Sequence, residues 1–187
     1  MSGSTPVLLV MDFQHGIVER LGAPSVVDAA DRAVKAARAA QIPVFFVRVA
    51  FRPGYPEIAQ ANATFSAVAA SGADSYTEAH PATQLHASLS RADDEPVVVK
   101  RRVSAFSGSD LDVLLRGAGA DTLVLAGIST SGVVLSTLRQ AADLDYRLTV
   151  LADACADPDP EVHRVLIEKV FPRQALVTTA DEWIAAL

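Results

Sequence analysis

A single cysteine, Cys155, stands among the 187 residues of the chain. One thiol cannot close an internal disulfide, and no cluster of cysteines with metal-site spacing exists, which excludes a disulfide scaffold and a zinc ribbon. Histidine is scarce too. His15, His80, His86 and His163 are scattered along the chain, so no metal site is expected. Long hydrophobic runs are absent. The apolar run Val7–Met11 is far shorter than a signal-peptide core or a membrane span, and the polar lead Met1–Pro6 has no basic segment. A cytoplasmic protein with no membrane partner is the expectation. Positive charge is also short: 16 Lys and Arg against 22 Asp and Glu leave a net charge of −6. Such a surface is poorly matched to a phosphate backbone, and the triplet Lys100-Arg101-Arg102 is too brief to reverse that, so no nucleic-acid partner is expected. No repeat, low-complexity tract or linker breaks the chain, so residues 1–187 read as one domain.

What is present is an ordinary globular composition, 50% hydrophobic and 20% charged. A chain of this size can bury a full core. Short runs rich in Val, Leu, Ile and Phe alternate with longer helical patterns. Strands are expected at Val7–Asp12, Pro43–Val49, Pro96–Lys100, Asp121–Gly127, Arg147–Ala152 and Gln174–Val177. Helices are expected at Asp28–Ala40, Ser109–Arg116, Ser131–Asp143 and Pro160–Val170, with a short last one from Asp181. Strands that are apolar throughout belong to a parallel sheet covered on both faces. Alternation with helices gives βαβ units, hence a three-layer, doubly wound, mainly parallel six-stranded α/β domain. Ligands in such folds bind beyond the carboxyl ends of the strands. The stretch from Ala50 to Asp94 breaks the rhythm with Pro53, Gly54, Pro56, Gly72 and Pro81. Loops and short helical turns are expected there, of the kind that serve as lids or partner contacts.

Three strand ends carry polar groups. The first strand stops at Asp12 in Met11-Asp12-Phe13-Gln14. A carboxylate there is placed for general acid or base work, or it caps a turn. The third strand ends at Lys100. That lysine either pairs with Asp12 and sets its charge state or snorkels to solvent. The fourth strand runs into Gly127-Ile128-Ser129-Thr130-Ser131-Gly132-Val133 and then a helix. Small residues at such a turn leave backbone N–H groups facing a ligand, or simply cap the helix.

Together these pieces resemble the isochorismatase-like (cysteine hydrolase) family. The resemblance rests on Asp-x-Gln after the first strand, on Lys100 followed four residues later by Ser104-Ala105-Phe106, and on Gly127-Ile128-x-Thr130 before a helix. Val150–Cys155 is similar as well, and the likeness runs from about Val7 to Val177. It implies Asp12 and Lys100 as catalytic residues, a cis peptide between Ile128 and Ser129, and an oxyanion site at the Ser129 N–H. Gln14, His15, Phe106 and Thr130 are candidate pocket-lining residues. The family's cysteine nucleophile falls six residues after the loop glycine, a position held here by Val133. Valine can neither attack a carbonyl nor hold a proton. Cys155 is a buried small hydrophobe or a displaced nucleophile.

Within this resemblance a cysteine-free route exists: hydrolysis of a vinyl ether of isochorismate type, in which an Asp protonates carbon and water adds to the cation. Arg52, Arg101 or Arg102 would hold substrate carboxylates. The expectation is a hydrolase of a small molecule, without a cofactor and without a cysteine nucleophile. The alternative is a pseudoenzyme or small-molecule binder that kept the pocket. Homo-oligomers are common in the family, and a homo-oligomer is expected here.

Overall fold

Alternate residues of the first apolar run find different partners, which is why the run becomes a strand buried on both faces. In the computed structural model, which describes residues 4–187, Leu8 and Val10 pack on one side and Val7, Leu9 and Met11 on the other. Met1–Gly3, the start of the polar lead, lie outside the described residues.

The strands are β1 (Pro6–Met11), β2 (Val44–Val49), β3 (Val97–Lys100), β4 (Thr122–Ile128), β5 (Arg147–Ala156) and β6 (Leu176–Thr178). They form one six-stranded sheet in the order β3-β2-β1-β4-β5-β6, with every neighbouring pair parallel. Helices α1 (His15–Leu21), α2 (Pro24–Ala39) and α7 (Ala180–Ala185) cover one face. Helices α4 (Leu111–Gly117) and α5 (Leu135–Asp143) cover the other, with Leu166 and Phe171 from the segment after α6 (Pro160–Val165). Each fully buried Val or Leu contributes about 1.5–3 kcal/mol, and both layers are built almost wholly of such side chains. The strand order reverses between β1 and β4, so a crevice opens at their carboxyl ends.

Several boundaries differ from the sequence expectation. Helix α1 is new. It spans fewer than two full heptads and has no side-chain N-cap, so periodicity could not show it, although Gly22 closes it at φ 67° as a left-handed C-cap. Helix α2 starts at Pro24 instead of Asp28, using proline at its first turn. The helix after β4 begins with a π-helical turn, Thr130–Val134. The expected helix through Val170 is α-helical only to Val165 and then continues through a π turn. Strand β5 runs on to Ala156, because its pairing with β4 steps from Leu125–Val150 to Gly127–Cys155 and bulges between. The excursion after β2 holds α3 (Ser66–Ala70) and a 3₁₀ turn at Pro81–Thr83, with Val49, Phe51 and Tyr55 packed among Phe65 and Val68.

Candidate active site

Strand β1 ends by turning sharply. Asp12 adopts φ 60°, a left-handed conformation that Asp tolerates better than most residues. Its N–H still donates to Val47 O at 2.8 Å, while its C=O accepts from Gln14 N at 2.8 Å. The turn carries the carboxyl group past the strand edge to Lys100, the last residue of β3. Lys100 Nζ lies 2.9 Å from Asp12 Oδ2, with side-chain exposures of 2% and 7%. The same ammonium donates to Arg102 O at 3.0 Å. Asp12 Oδ1 is buried with no hydrogen-bond partner. Burial pushes the Asp12 carboxyl above its ordinary value of 3.8, and the nearby Lys100 opposes this without cancelling it. The result is a carboxyl biased toward holding a proton beside a fixed ammonium.

The third component comes from the turn after β4. The Ile128–Ser129 peptide is cis. Ser129 Oγ accepts from Gly132 N at 3.1 Å, which caps the π turn. Gly127 allows this turn to lie close to β1: a Cβ there would stand 3.0 Å from Val134 Cγ2 and 3.1 Å from Met11 O. The buried Val133 therefore reaches the same space as Asp12.

That space is a cavity of about 630 Å³. Asp12, Lys100, Ser129 and Val133 line it, along with Ile17, Arg20 and Leu21 of α1 and Thr64 and Phe65 of the excursion. Most of the remaining wall is apolar. The excursion thus supplies one wall of the site. A smaller adjoining cavity of about 190 Å³ shares Ile17, Arg20 and Val49 with it.

The structure sorts the remaining sequence candidates differently. Gln14 lines the smaller cavity and not the large one. It is a strut: its amide donates to Val49 O and Thr83 O at 2.9 Å each and accepts from Val49 N at 2.8 Å, tying β2 to the excursion. His15 does not reach the cavity either, and its ring packs against His86 at 5.1 Å. Phe106 turns away toward Tyr146, because the Ser104–Phe106 segment docks on α5: Ser104 Oγ donates to Gln140 Oε1, and Ala105 N to Thr137 Oγ1. Thr130 is buried, its hydroxyl bonded to His163 Nδ1 at 2.8 Å. Burial pushes His163 below its ordinary pKa despite the nearby Asp157.

The three arginines proposed for substrate carboxylates are all engaged inside the protein. Arg52 pairs with Glu57, Arg101 with Glu57 and Glu78, and Arg102 donates to Arg101 O and Glu57 O. The arginine that does line the cavity, Arg20, was missed because α1 was missed. Cys155 belongs to the core on the α5 side and does not line the large cavity. Burial pushes its thiol up to about 12. Among the described residues, no group of three or more His, Cys, Asp or Glu is placed to hold a metal ion, and no helix is long and apolar enough to cross a membrane.

Fold and site together define a doubly wound α/β protein with a cavity of small-molecule size at its switch point and a buried acid–lysine pair in the wall. The Isochorismatase domain model matches residues 6–182, and the chain belongs to the isochorismatase family of hydrolases. The isochorismatase family protein YecD of Escherichia coli O157:H7 is 36% identical over 191 residues, spanning 100% of this chain and 98% of that protein. The ureidoacrylate amidohydrolase RutB of Methylobacterium radiotolerans is 33% identical over 191 residues, spanning 89% of this chain and 73% of its own. The solved structure of an isochorismatase family protein from Burkholderia thailandensis superposes with a TM-score of 0.85 at 28% identity, covering 100% of this chain and 97% of that one.

Proposed function

We propose that the protein hydrolyses a small molecule by acid–base chemistry at Asp12 and Lys100, without a cysteine nucleophile. The observation that carries this reading is the buried Asp12–Lys100 pair opening onto a roomy cavity whose wall, at the position of the family's nucleophile, is Val133. The lone thiol of the chain lies elsewhere and is held protonated by burial, which argues against an amidase working through Cys155. A cavity filled by side chains would have favoured a relic, whereas about 630 Å³ leaves room for a substrate.

Vinyl-ether hydrolysis of isochorismate type fits these parts. Protonated Asp12 gives its proton to the terminal carbon of the enol ether. Water adds to the resulting oxocarbenium carbon, and the hemiketal breaks its C–O bond to release an alcohol and a ketone. Lys100 then stabilises the Asp12 carboxylate until it regains a proton. The Ser129 N–H is assigned to the leaving oxygen, on which negative charge develops as the hemiketal C–O bond breaks.

The test is turnover of isochorismate by the purified protein with Asp12→Asn as control. Turnover that disappears in the variant supports the reading. Turnover that survives it, or an inactive wild type whose Val133→Cys variant gains amide hydrolysis, overturns it. The second outcome would favour a pocket that lost its nucleophile and now only binds.

A further inference from the structure

We infer that Arg20 selects the substrate, and that the substrate class is a carboxylate-bearing small molecule whose anionic group sits where the two cavities meet. This rests on the reading of the large cavity as the hydrolytic site.

Arg20 is the residue whose position and freedom single it out. It lines both cavities, and among the described residues it makes no ion pair or hydrogen bond. Its neighbours of like charge are all committed. Arg52, Arg101 and Arg102 are held by Glu57, by Glu78 and by backbone carbonyls, and Arg48 donates to Glu78 O and Thr83. Lys100 is held by Asp12 Oδ2 at 2.9 Å and by Arg102 O at 3.0 Å. The other carboxylate in the lining, Asp157, is itself occupied, accepting Ser131 N at 2.7 Å and Asp159 N at 3.3 Å. The cavity therefore presents, on the exposed residue Arg20, one guanidinium with no hydrogen-bonded partner among the described residues, beside a largely apolar wall that includes Ile17, Leu21, Val49 and Phe65.

The helix that carries Arg20 is also well anchored. Gly16 sits so close to the Pro81–Thr83 turn that a Cβ would stand 3.0 Å from Ala82 Cβ. Gly16 and Arg20 are one turn apart on the same helical face, so this packing fixes the helix backbone from which Arg20 projects. A planar guanidinium matches a carboxylate with two parallel N–H donors, which an ammonium cannot do. An arginine at a helix carboxyl end is often merely solvated, and that role would leave ligand preference untouched.

The test is binding of benzoate and its neutral isostere benzamide to the full chain, by calorimetry or competition. Wild type is expected to prefer benzoate by about 10- to 100-fold, the range for a hydrogen-bonded charge pair. Arg20→Gln should remove that preference while leaving benzamide binding unchanged, and Arg20→Lys should keep only part of it. Equal binding by wild type, no benzoate binding, or a preference that survives Arg20→Gln overturns the inference, the last pointing to Lys100 as the anion site. Failure of the acid–base reading looks different: Asp12→Asn would keep its turnover while the benzoate preference remained tied to Arg20.

Discussion

Replacing Lys100 by Met removes one charge and leaves the volume of the side chain nearly intact. Lys100 Nζ is 2.9 Å from Asp12 Oδ2, both side chains are almost fully buried, and Asp12 Oδ1 has no partner of its own. In the variant the carboxylate keeps its burial and loses its counter-charge. Breaking one side of a buried pair costs about 3–5 kcal/mol. The protein can reduce that cost only by protonating Asp12, whose carboxyl is already raised by burial and would rise further once Lys100 no longer opposes it. The sign of the pH dependence follows. A carboxyl raised in the folded state is least costly below its unfolded value of 3.8, and its penalty grows as pH climbs through the folded value, at up to about 1.4 kcal/mol per pH unit. Urea denaturation of wild type and Lys100→Met at about pH 4 and about pH 8 reads this directly. The midpoint of the variant should fall by roughly 2 M at the higher pH and by clearly less at the lower. The double variant Asp12→Asn/Lys100→Met, with no buried charge left, should recover part of the loss. A midpoint shift that is small, or the same at both pH values, would refute the burial of the pair.

Gly127→Ala should cost about 1–3 kcal/mol, since its Cβ would meet Val134 Cγ2 at 3.0 Å and Met11 O at 3.1 Å with backbone on one side; a melting point not lowered by several degrees would contradict that packing. Native protein should resist iodoacetamide at Cys155, whose thiol is buried and pushed up to about 12, whereas Val133→Cys should be alkylated at its new thiol in the cavity, with mass spectrometry to separate the two sites. Turnover should decline as pH rises through the Asp12 value, because the acid must carry its proton and burial holds that value above the usual carboxyl range; a rate that rises with pH across the same interval would assign Asp12 the opposite role.

The sheet was legible because its strands are apolar on both faces. Val7–Met11, Val44–Val49 and Leu123–Ile128 have no exposed side to encode, so composition alone marks them. What escaped were elements whose stability is tertiary. Helix α1 is short and lacks a side-chain cap, and it is held by contacts with the Pro81–Thr83 turn that lie far off in sequence. The bulge in β5 is set by where Cys155 meets Gly127, a register that no local signal records. The π turn at Thr130–Val134 gives the same residues as a helix start, with a different hydrogen-bond step.

The same division explains the site. Asp12 and Lys100 could be named because a charge at the end of an apolar strand is anomalous in a one-dimensional reading, and parallel strands bring their ends to one edge. The anion-binding residue could not be named in that way. Arg52, Arg101 and Arg102 stood next to the motifs, but proximity in sequence says nothing about whether an acid has claimed them, and Glu57 and Glu78 had. Arginine selects a ligand only if the fold leaves its guanidinium unpaired at the cavity, and that is a property of the whole set of charges around the site. Gln14 shows a second role: it lines the smaller cavity, and all three of its side-chain hydrogen bonds go to backbone. Those bonds hold β2 against the excursion that supplies Phe65, so the large cavity depends on Gln14 without being lined by it. Gln14→Ala should therefore remove three buried hydrogen bonds and lower stability by about 1–3 kcal/mol, and any loss of turnover should track loss of fold.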